Sequence, residues 1–365
     1  PDSGHQRGRG RQRRKMKNRE KIYPARNLRR KLRGAGALLA AALLFLSGCA
    51  SRISAPEEDD MRTPVDENLI VVGVSQLGSE SVWRTANTAS IQEVFTKEKG
   101  YFLIFDNARQ KQENQIKALR SFISQEVDYI IFSPLMEEGW DTVLQEAKDA
   151  GIPVILIDRM VDVEDPSLYS TWIGSDFEKE GTEAGRILEK CLEGQGRQEE
   201  DINIVVLKGT EGSSPTIGRT EGFGQIVALH ENWKILEQAD GEFTTAKARE
   251  EMSRLLTKYE DIDVLISQND DMTFGALDAL RAAGRSPESG DDIIILSFDG
   301  TRKALELVES GVIYADLECN PQQGEYLEEV IQKLEAGQEI ERIYYVPEKI
   351  FTRDNVSRYI EDRTY

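Results

Sequence analysis

The sequence predicts an α/β protein with two Rossmann-like lobes, each built on a parallel sheet, and three observations support this. From Leu69 onward, short apolar runs typical of strands alternate with segments whose apolar residues recur every three or four positions. The run Val154–Ile157 is apolar throughout, which indicates a strand covered on both faces. There are nine or ten strand-like runs, which is near the limit for one twisted open sheet, so two smaller sheets are expected.

The first lobe begins with four strand-like runs, and the segments between them have helical patterns. Between the second and third runs, apolar residues from Ile116 to Val127 follow a spacing of three and four, which predicts a helix. A βαβαβα order with right-handed crossovers makes a parallel sheet with helices on both faces. The four runs are Leu69–Ser75, Tyr101–Phe105, Tyr129–Phe132 and Val154–Ile157.

The second lobe is predicted from five further runs. Helices are expected at Lys247–Lys258 and Thr273–Ala283. A last aromatic run, Tyr344–Phe351, predicts an edge strand or a crossing between the lobes. The five runs are Ile202–Leu207, Trp233–Leu236, Ile262–Ile266, Ile293–Leu296 and Val312–Leu317.

Charge is divided unevenly along the chain. Residues 1–48 hold 14 of the 46 Lys and Arg residues and 2 of the 65 Asp and Glu residues, which leaves 32 basic and 63 acidic residues in 49–365. The acidic charge of residues 49–365 repels nucleic acid, so a nucleic-acid partner is not expected.

The basic segment is instead typical of an export signal. It precedes the apolar run Ala35–Leu46, which is too short for a comfortable membrane-spanning helix. The run ends in Leu46-Ser47-Gly48-Cys49, which resembles a bacterial lipobox and predicts lipidation of Cys49. We expect a basic leader with a lipoprotein signal peptide in 1–48, then the lipidated Cys49 and a flexible acidic linker in 49–67. The protein would be exported and lipid-anchored at the outer face of the cell membrane.

Residues suited to metal or nucleophilic chemistry are scarce. Besides Cys49, the cysteines are Cys191 and Cys319, and outside the leader the only histidine is His230. The sequence has no Cys/His cluster and no Gly-x-Ser-x-Gly elbow. We therefore expect no catalytic residue, no metal, no cofactor and no disulfide framework.

Polar residues follow the predicted strands, at the edge where open α/β sheets bind ligands. Val154–Ile157 runs directly into Asp158 and Arg159, and later strands end at Asn269 and Asp299. Acids, amides and guanidiniums can bridge adjacent sugar hydroxyls, and an aromatic face covers the C–H groups of the ring. The residues alone leave two alternatives open: Asp158 as a cap, and the nearby aromatics as core residues.

Three segments resemble the sugar-binding proteins of bacterial ABC importers, in the superfamily of ribose- and galactose-binding proteins. They are Val72–Arg84, Gln110–Phe122 and Asn269–Met272. Ser79-Glu80-Ser81-Val82-Trp83-Arg84 and Lys111-Gln112-Glu113-Asn114-Gln115-Ile116 favour the galactofuranose-binding branch of that family. The resemblance covers nearly all of residues 69–355.

The resemblance implies a periplasmic binding protein-like fold of type I, in which three crossings join the lobes. They are expected near Gly174–Asp176, Glu318–Pro321 and Tyr345–Lys349. The first lobe would then comprise residues 68–174 plus about 320–345, and the second 175–319 plus about 346–365.

The resemblance also implies which residues contact the ligand. The first lobe would contribute Glu80, Ser81, Val82, Trp83, Arg84, Asp158 and Arg159. The second would contribute Arg219, Phe243, Asn269, Asp299 and Glu318.

The implied function is capture of a monosaccharide (galactofuranose or a related hexose or pentose) by a monomer that delivers it to an ABC permease and its ATPase. A sensor that presents the sugar to a membrane receptor or histidine kinase is the main alternative. A LacI-type repressor would need a helix-turn-helix where the leader stands. A glycoside hydrolase would use Asp158 with Glu80 or Asp299 as its carboxylate pair.

Overall fold

The computed structural model describes residues 69–285 and 293–365. The predicted leader, the lipidation site Cys49 and the acidic linker lie outside the described residues. Over these two ranges, no helix is both long and apolar enough to cross a membrane.

The described strands form two six-stranded sheets. The first has the order β11-β5-β4-β3-β1-β2, with every neighbouring pair parallel. The second has the order β12-β10-β9-β8-β6-β7, and only its edge strand β12 is antiparallel. The strands are β1 Ile70–Gln76, β2 Tyr101–Asn107, β3 Tyr129–Phe132, β4 Val154–Ile157, β5 Thr171–Gly174, β6 Ile202–Lys208, β7 Trp233–Asp240, β8 Val264–Ser267, β9 Ile294–Asp299, β10 Ala315–Glu318, β11 Ile343–Tyr345 and β12 Ile350–Thr352.

Helices lie between the strands along the chain and cover both faces of the sheets. On one face of the first sheet, Ile130 and Leu156 pack with Trp140; on the other, Ile131 packs with Leu327. The described helices are α1 Val82–Val94, α2 Gln112–Ser124, α3 Asp141–Asp149, α4 Phe177–Gln195, α5 Ser214–Val227, α6 Thr245–Lys258, α7 Asp270–Ala282, α8 Arg302–Ser310 and α9 Gly324–Glu335.

The chain passes from one sheet to the other three times, after Gly174, after Glu318 and after Tyr345. The predicted fold class, two parallel-sheet lobes joined by three crossings, is confirmed. After the second crossing, α9 returns to the first lobe, where it packs against α1. For Tyr344–Phe351 the sequence predicts an edge strand or a crossing between the lobes. Both are present, because β11, a crossing and β12 follow one another there.

Some elements differ from the prediction. The strand β5 and the helix α4 have no counterpart in the predicted set. The strand β10 begins at Ala315 instead of Val312, because the Val312 backbone N–H donates to Leu307 O and closes the end of α8. Gly311 ends that helix with a φ of 87°, a left-handed conformation that glycine adopts without steric cost.

Candidate ligand-binding site

A cavity with about 310 Å³ of empty space lies where the carboxyl ends of the two sheets face each other. Ten of the twelve residues that the resemblance implies as ligand contacts line it. The lining residues are Glu80, Ser81, Trp83, Arg84, Asp158, Arg159, Phe177, Pro215, Arg219, Phe243, Asn269, Asp299 and Cys319.

The first-lobe wall is built around a buried ion pair. Arg84 Nη2 donates to Asp158 Oδ2 at 2.6 Å, and Arg84 Nε donates to Glu80 Oε1 at 3.1 Å. Ser133 Oγ also donates to Asp158 Oδ2, at 3.1 Å. Burial acts to lower the pKa of Arg84, but the charges of Asp158 and Glu80 outweigh it and raise that pKa above its ordinary value. Arg84 is therefore a fixed positive charge in the wall.

Local backbone geometry positions both partners of this pair. Ser81 caps α1, since its Oγ accepts from the Arg84 backbone N–H at 3.1 Å. Asp158 directly follows β4 and has a φ of 55°, a left-handed conformation that Asp tolerates better than most residues. Its carbonyl oxygen accepts a hydrogen bond from Trp172 Nε1 at 3.0 Å, which holds this turn against β5.

Arg159 is almost fully buried, with 1% of its surface exposed. Its Nη1 donates to Leu135 O at 2.7 Å, and its guanidinium carbon lies 5.3 Å from the ring centre of Phe243 in the second lobe. Burial and the nearby charge of Arg84 lower the pKa of Arg159 to about 10. It therefore stays protonated at neutral pH and brings a second positive charge to the cavity.

The second-lobe wall is also built around an arginine. Arg219 Nε donates to Glu180 Oε2 at 2.6 Å, and its Nη2 lies 3.9 Å from Asp299 Oδ1. Its Nη1 donates to Gln268 O. Burial raises the pKa of Asp299 well above its usual value, although Arg219 acts in the opposite direction. The close approach of α4 and α5 makes the Arg219–Glu180 pair possible: a Cβ at Gly181 would stand 2.3 Å from the Arg219 carbonyl oxygen.

Asn269 combines a structural role with its place in the cavity. It caps α7, because its Oδ1 accepts from the Met272 backbone N–H at 2.9 Å. Asp270, next along the chain, turns away: it accepts from Ser297 Oγ at 2.5 Å and from the Thr301 backbone N–H at 2.7 Å. Asp270 is thus a buried acid of the second lobe and does not line the cavity.

Among residues 69–285 and 293–365, three hydrogen bonds join the lobes around the cavity. The backbone N–H of Val82 donates to Asp271 Oδ2 at 3.0 Å. The backbone N–H of Met160 donates to Ser214 Oγ at 2.9 Å. The third bond runs from Glu137 N–H to Gly212 O at 3.0 Å. Because the cavity is bounded from both sides, the structure shows the lobes closed.

Two predicted ligand residues do not line the cavity. Val82 leaves 44% of its surface exposed and contacts the second lobe through its backbone. Glu318 faces the carboxyl-terminal segment, where its two carboxylate oxygens accept from the Lys349 backbone N–H at 2.9 Å and from Arg363 Nη1 at 2.7 Å. Both residues border the site and support its frame.

Three lining residues were not predicted: Phe177, Pro215 and Cys319. Phe177 and Pro215 lie at the starts of α4 and α5, so a search confined to strand ends does not find them. Cys319 follows Glu318 by one residue, and its carbonyl oxygen accepts from Trp83 Nε1 at 2.5 Å. Since adjacent residues of an extended chain face opposite ways, a shift of one residue exchanges Glu318 for Cys319.

Two buried polar atoms of lining residues have no partner among the described residues. They are Glu80 Oε2, an acceptor, and Arg159 Nε, a donor. Buried polar groups in folded proteins are nearly always hydrogen-bonded, so two such atoms in one cavity point to a ligand that both donates and accepts.

The fold and the cavity are those of a two-lobed binding protein with a polar cavity between its lobes. A family model described as periplasmic binding protein domain matches residues 71–339, and the chain belongs to this family.

Similar proteins were found among curated proteins and solved structures. The chain is 40% identical over 255 residues to the galactofuranose-binding protein YtfQ of Escherichia coli K12, over 69% of this chain and 78% of that protein. It is 40% identical, with a TM-score of 0.77, to a crystal structure from Mycobacterium smegmatis in complex with β-D-fucofuranose, over 81% and 95% of the chains. It is 38% identical, with a TM-score of 0.75, to the periplasmic binding protein of the arabinose ABC transporter from Shewanella sp. ANA-3 bound to α- and β-L-arabinofuranose, over 80% and 95%.

Proposed function

We propose that this chain is the substrate-binding component of a carbohydrate ABC importer and that it binds one monosaccharide in the cavity between its lobes. The observation that carries the proposal is the unpaired pair of atoms, Glu80 Oε2 and Arg159 Nε. Each sugar hydroxyl can donate and accept, so a single sugar can satisfy the acceptor and the donor together. Arg84 and Asp158 hold the surrounding wall in place before the sugar arrives.

We further propose that the sugar is a five-membered ring, galactofuranose or a related hexose or pentose. Three similar proteins are named for, or hold, furanoses: galactofuranose, β-D-fucofuranose and L-arabinofuranose. Phe243 supports a sugar of either ring size, since an aromatic face beside buried guanidiniums covers the C–H groups of a sugar while charged groups bind its hydroxyls.

Closure of the lobes is the proposed working step. A sugar held by Asp158 and Arg159 on one side and by Asn269 and Asp299 on the other favours the closed form, because only that form presents both walls at once. The permease would then recognise the closed pair of lobes. Export and anchoring through a lipid on Cys49 belong to the same proposal and rest on the lipobox-like segment.

Calorimetric titration with monosaccharides tests the proposal. The panel contains L-arabinose and D-galactose together with their methyl furanosides and methyl pyranosides, which are locked in one ring form. We expect one site per chain with micromolar or tighter affinity and no product from the methyl glycosides after long incubation. Pyranosides that bind better than furanosides would contradict the ring assignment, and hydrolysis of any glycoside would contradict a purely binding role.

A further inference from the structure

The three crossings between the lobes meet at one buried carboxyl group. Ser175 lies on the first crossing, Asn320 on the second and Glu348 on the third. Ser175 Oγ donates to Glu348 Oε1, and the Asn320 backbone N–H donates to the same oxygen at 3.1 Å. A single carboxylate oxygen therefore ties together all the described segments that connect the lobes.

Cys319 extends this group of contacts, the hinge cluster (Ser175, Cys319, Asn320 and Glu348), to the cavity. Its Sγ lies 3.3 Å from Ser175 Oγ. Either group can be the donor in this contact. Cys319 also lines the cavity, so the cluster reaches from the crossings to the ligand site.

Acidic groups crowd the hinge cluster. One carboxyl oxygen of Glu180, one carboxyl oxygen of Glu348 and the Cys319 sulfur lie within 4.8 Å of one another. Burial and the charge of Glu180 raise the pKa of Glu348 to about 8, and Arg219 offsets this only in part. Burial also raises the pKa of Glu180 and of the Cys319 thiol. In the closed form, a second negative charge beside Glu180 is therefore unfavourable, and Glu348 holds a proton at neutral pH.

We propose that Glu348 is a positioning residue that links proton uptake to closure of the lobes and, through closure, sets the affinity for the ligand. The proposal rests on the proposed binding function for its effect on affinity. Rotation of the lobes changes the relative positions of the three crossings, which separates Ser175 and Asn320 from Glu348 and admits water to the carboxyl group. Glu348 touches no ligand and acts only through this change of shape.

The sign of the pH dependence follows from the two pKa values of Glu348. In a hydrated open hinge the carboxyl returns toward its ordinary pKa of 4.5, against about 8 in the closed form. The proton therefore favours closure fully below the lower value, and this advantage is lost as the pH rises through the upper value. Affinity should weaken with rising pH across this interval, by up to about tenfold per pH unit for one proton.

The matched variants are Glu348→Gln and Glu309→Gln. In Glu348→Gln, the oxygen of the new amide still accepts from Ser175 and Asn320, but the side chain does not titrate. Glu309 is exposed on α8, away from the crossings. We expect the dissociation constant for D-galactose to rise between about pH 5.5 and about pH 8.5 in the unmodified protein and in Glu309→Gln. In Glu348→Gln it should keep its low-pH value throughout.

The same titrations with EDTA present test whether a metal, and not a proton, occupies the cluster of Glu180, Cys319 and Glu348. We expect EDTA to leave the profiles unchanged. A pH dependence that disappears with EDTA, or one that persists in full in Glu348→Gln, would overturn the proposal.

A second readout needs no ligand and separates failure of this proposal from failure of the binding function. Hydrogen exchange of the Glu137 and Met160 backbone amides, which donate across the cleft, reports closure directly. After correction for the intrinsic exchange rate at each pH, their protection should fall with rising pH in the unmodified protein and stay level in Glu348→Gln. Equal profiles in the two proteins would contradict a role for Glu348, whatever sugar the cavity binds.

Discussion

The two walls of the cavity are alike in composition but differ in whether their buried polar atoms without a described partner line the cavity. Each wall has a buried arginine held by a carboxylate: Arg84 with Asp158 in the first lobe, and Arg219 with Glu180 in the second. In the second wall, Arg219 bonds to Glu180 and to Gln268 O, and Asn269 caps a helix. The lining atoms without a described partner, Glu80 Oε2 and Arg159 Nε, are both in the first wall.

This difference assigns the lobes different tasks. The first wall has the two lining atoms without a described partner, so we expect it to be the surface that captures the ligand. The second wall also has a buried oxygen without a described partner, Glu180 Oε1, but Glu180 does not line the cavity, so we expect this wall to complete the enclosure around the ligand. Substitutions in the first wall should therefore lower the affinity most. Substitutions in the second wall should lower it less, and substitutions that remove a contact between the lobes should lower it least.

The largest effect is expected for Arg159→Ala. The change removes a charged donor to the ligand and the cation–π contact with Phe243. A hydrogen bond from a charged group contributes about 1.5–3 kcal/mol, so affinity should fall by roughly a hundredfold. Calorimetric titration measures it, with Arg120→Ala as the control, because Arg120 forms an exposed ion pair with Glu146. Equal affinities for the two variants would remove Arg159 from the site.

A smaller loss is expected for Phe243→Leu in the second wall. Leucine keeps most of the apolar volume but offers no aromatic face to the sugar or to Arg159. A cation–π contact contributes about 0.5–2 kcal/mol, so affinity should fall about tenfold. The control is Phe102→Leu, since Phe102 lies on the edge strand β2 with 43% of its surface exposed. A loss larger than that of Arg159→Ala would reverse the assignment of tasks to the two walls.

The smallest effect is expected for Asp271→Ala, which removes the acceptor for the Val82 backbone N–H across the cleft. The acceptor is a carboxylate, but the bond is exposed to water, so it contributes about 1 kcal/mol and affinity should fall about fivefold, mainly through faster dissociation. Stopped-flow measurement of the dissociation rate tests this, with Asp278→Ala on the exposed face of the same helix as the control. An unchanged dissociation rate would show that this bond does not hold the closed form.

Most of the fold could be predicted from the sequence, because strands buried on both faces leave an unbroken apolar signal. Both β3 and β4 have the predicted bounds. The strand β5 was missed because Thr171-Trp172-Ile173-Gly174 offers no apolar run, and only its neighbours in the sheet make it a strand. Propensity is a weak guide where tertiary contacts decide the conformation in this way.

The candidate site, like the fold, could be predicted only in part from the sequence. Asp158, Arg159, Asn269 and Asp299 could be predicted because the carboxyl ends of parallel strands share one edge of a sheet. The hinge cluster could not, since it depends on three segments, at Ser175, Cys319–Asn320 and Glu348, that meet only in the folded chain. No local sequence pattern around Glu348 indicates that its carboxyl group accepts a hydrogen bond from the Ser175 hydroxyl group, because the two residues lie far apart in the sequence.

The most direct test of the central claim is a crystal structure of the protein grown with methyl β-D-galactofuranoside. The account predicts one sugar in the cavity, with hydroxyl groups within hydrogen-bond distance of both Glu80 Oε2 and Arg159 Nε and with the three bonds across the cleft in place. A sugar bound elsewhere, or one in the cavity that leaves both of these atoms unpaired, would contradict it.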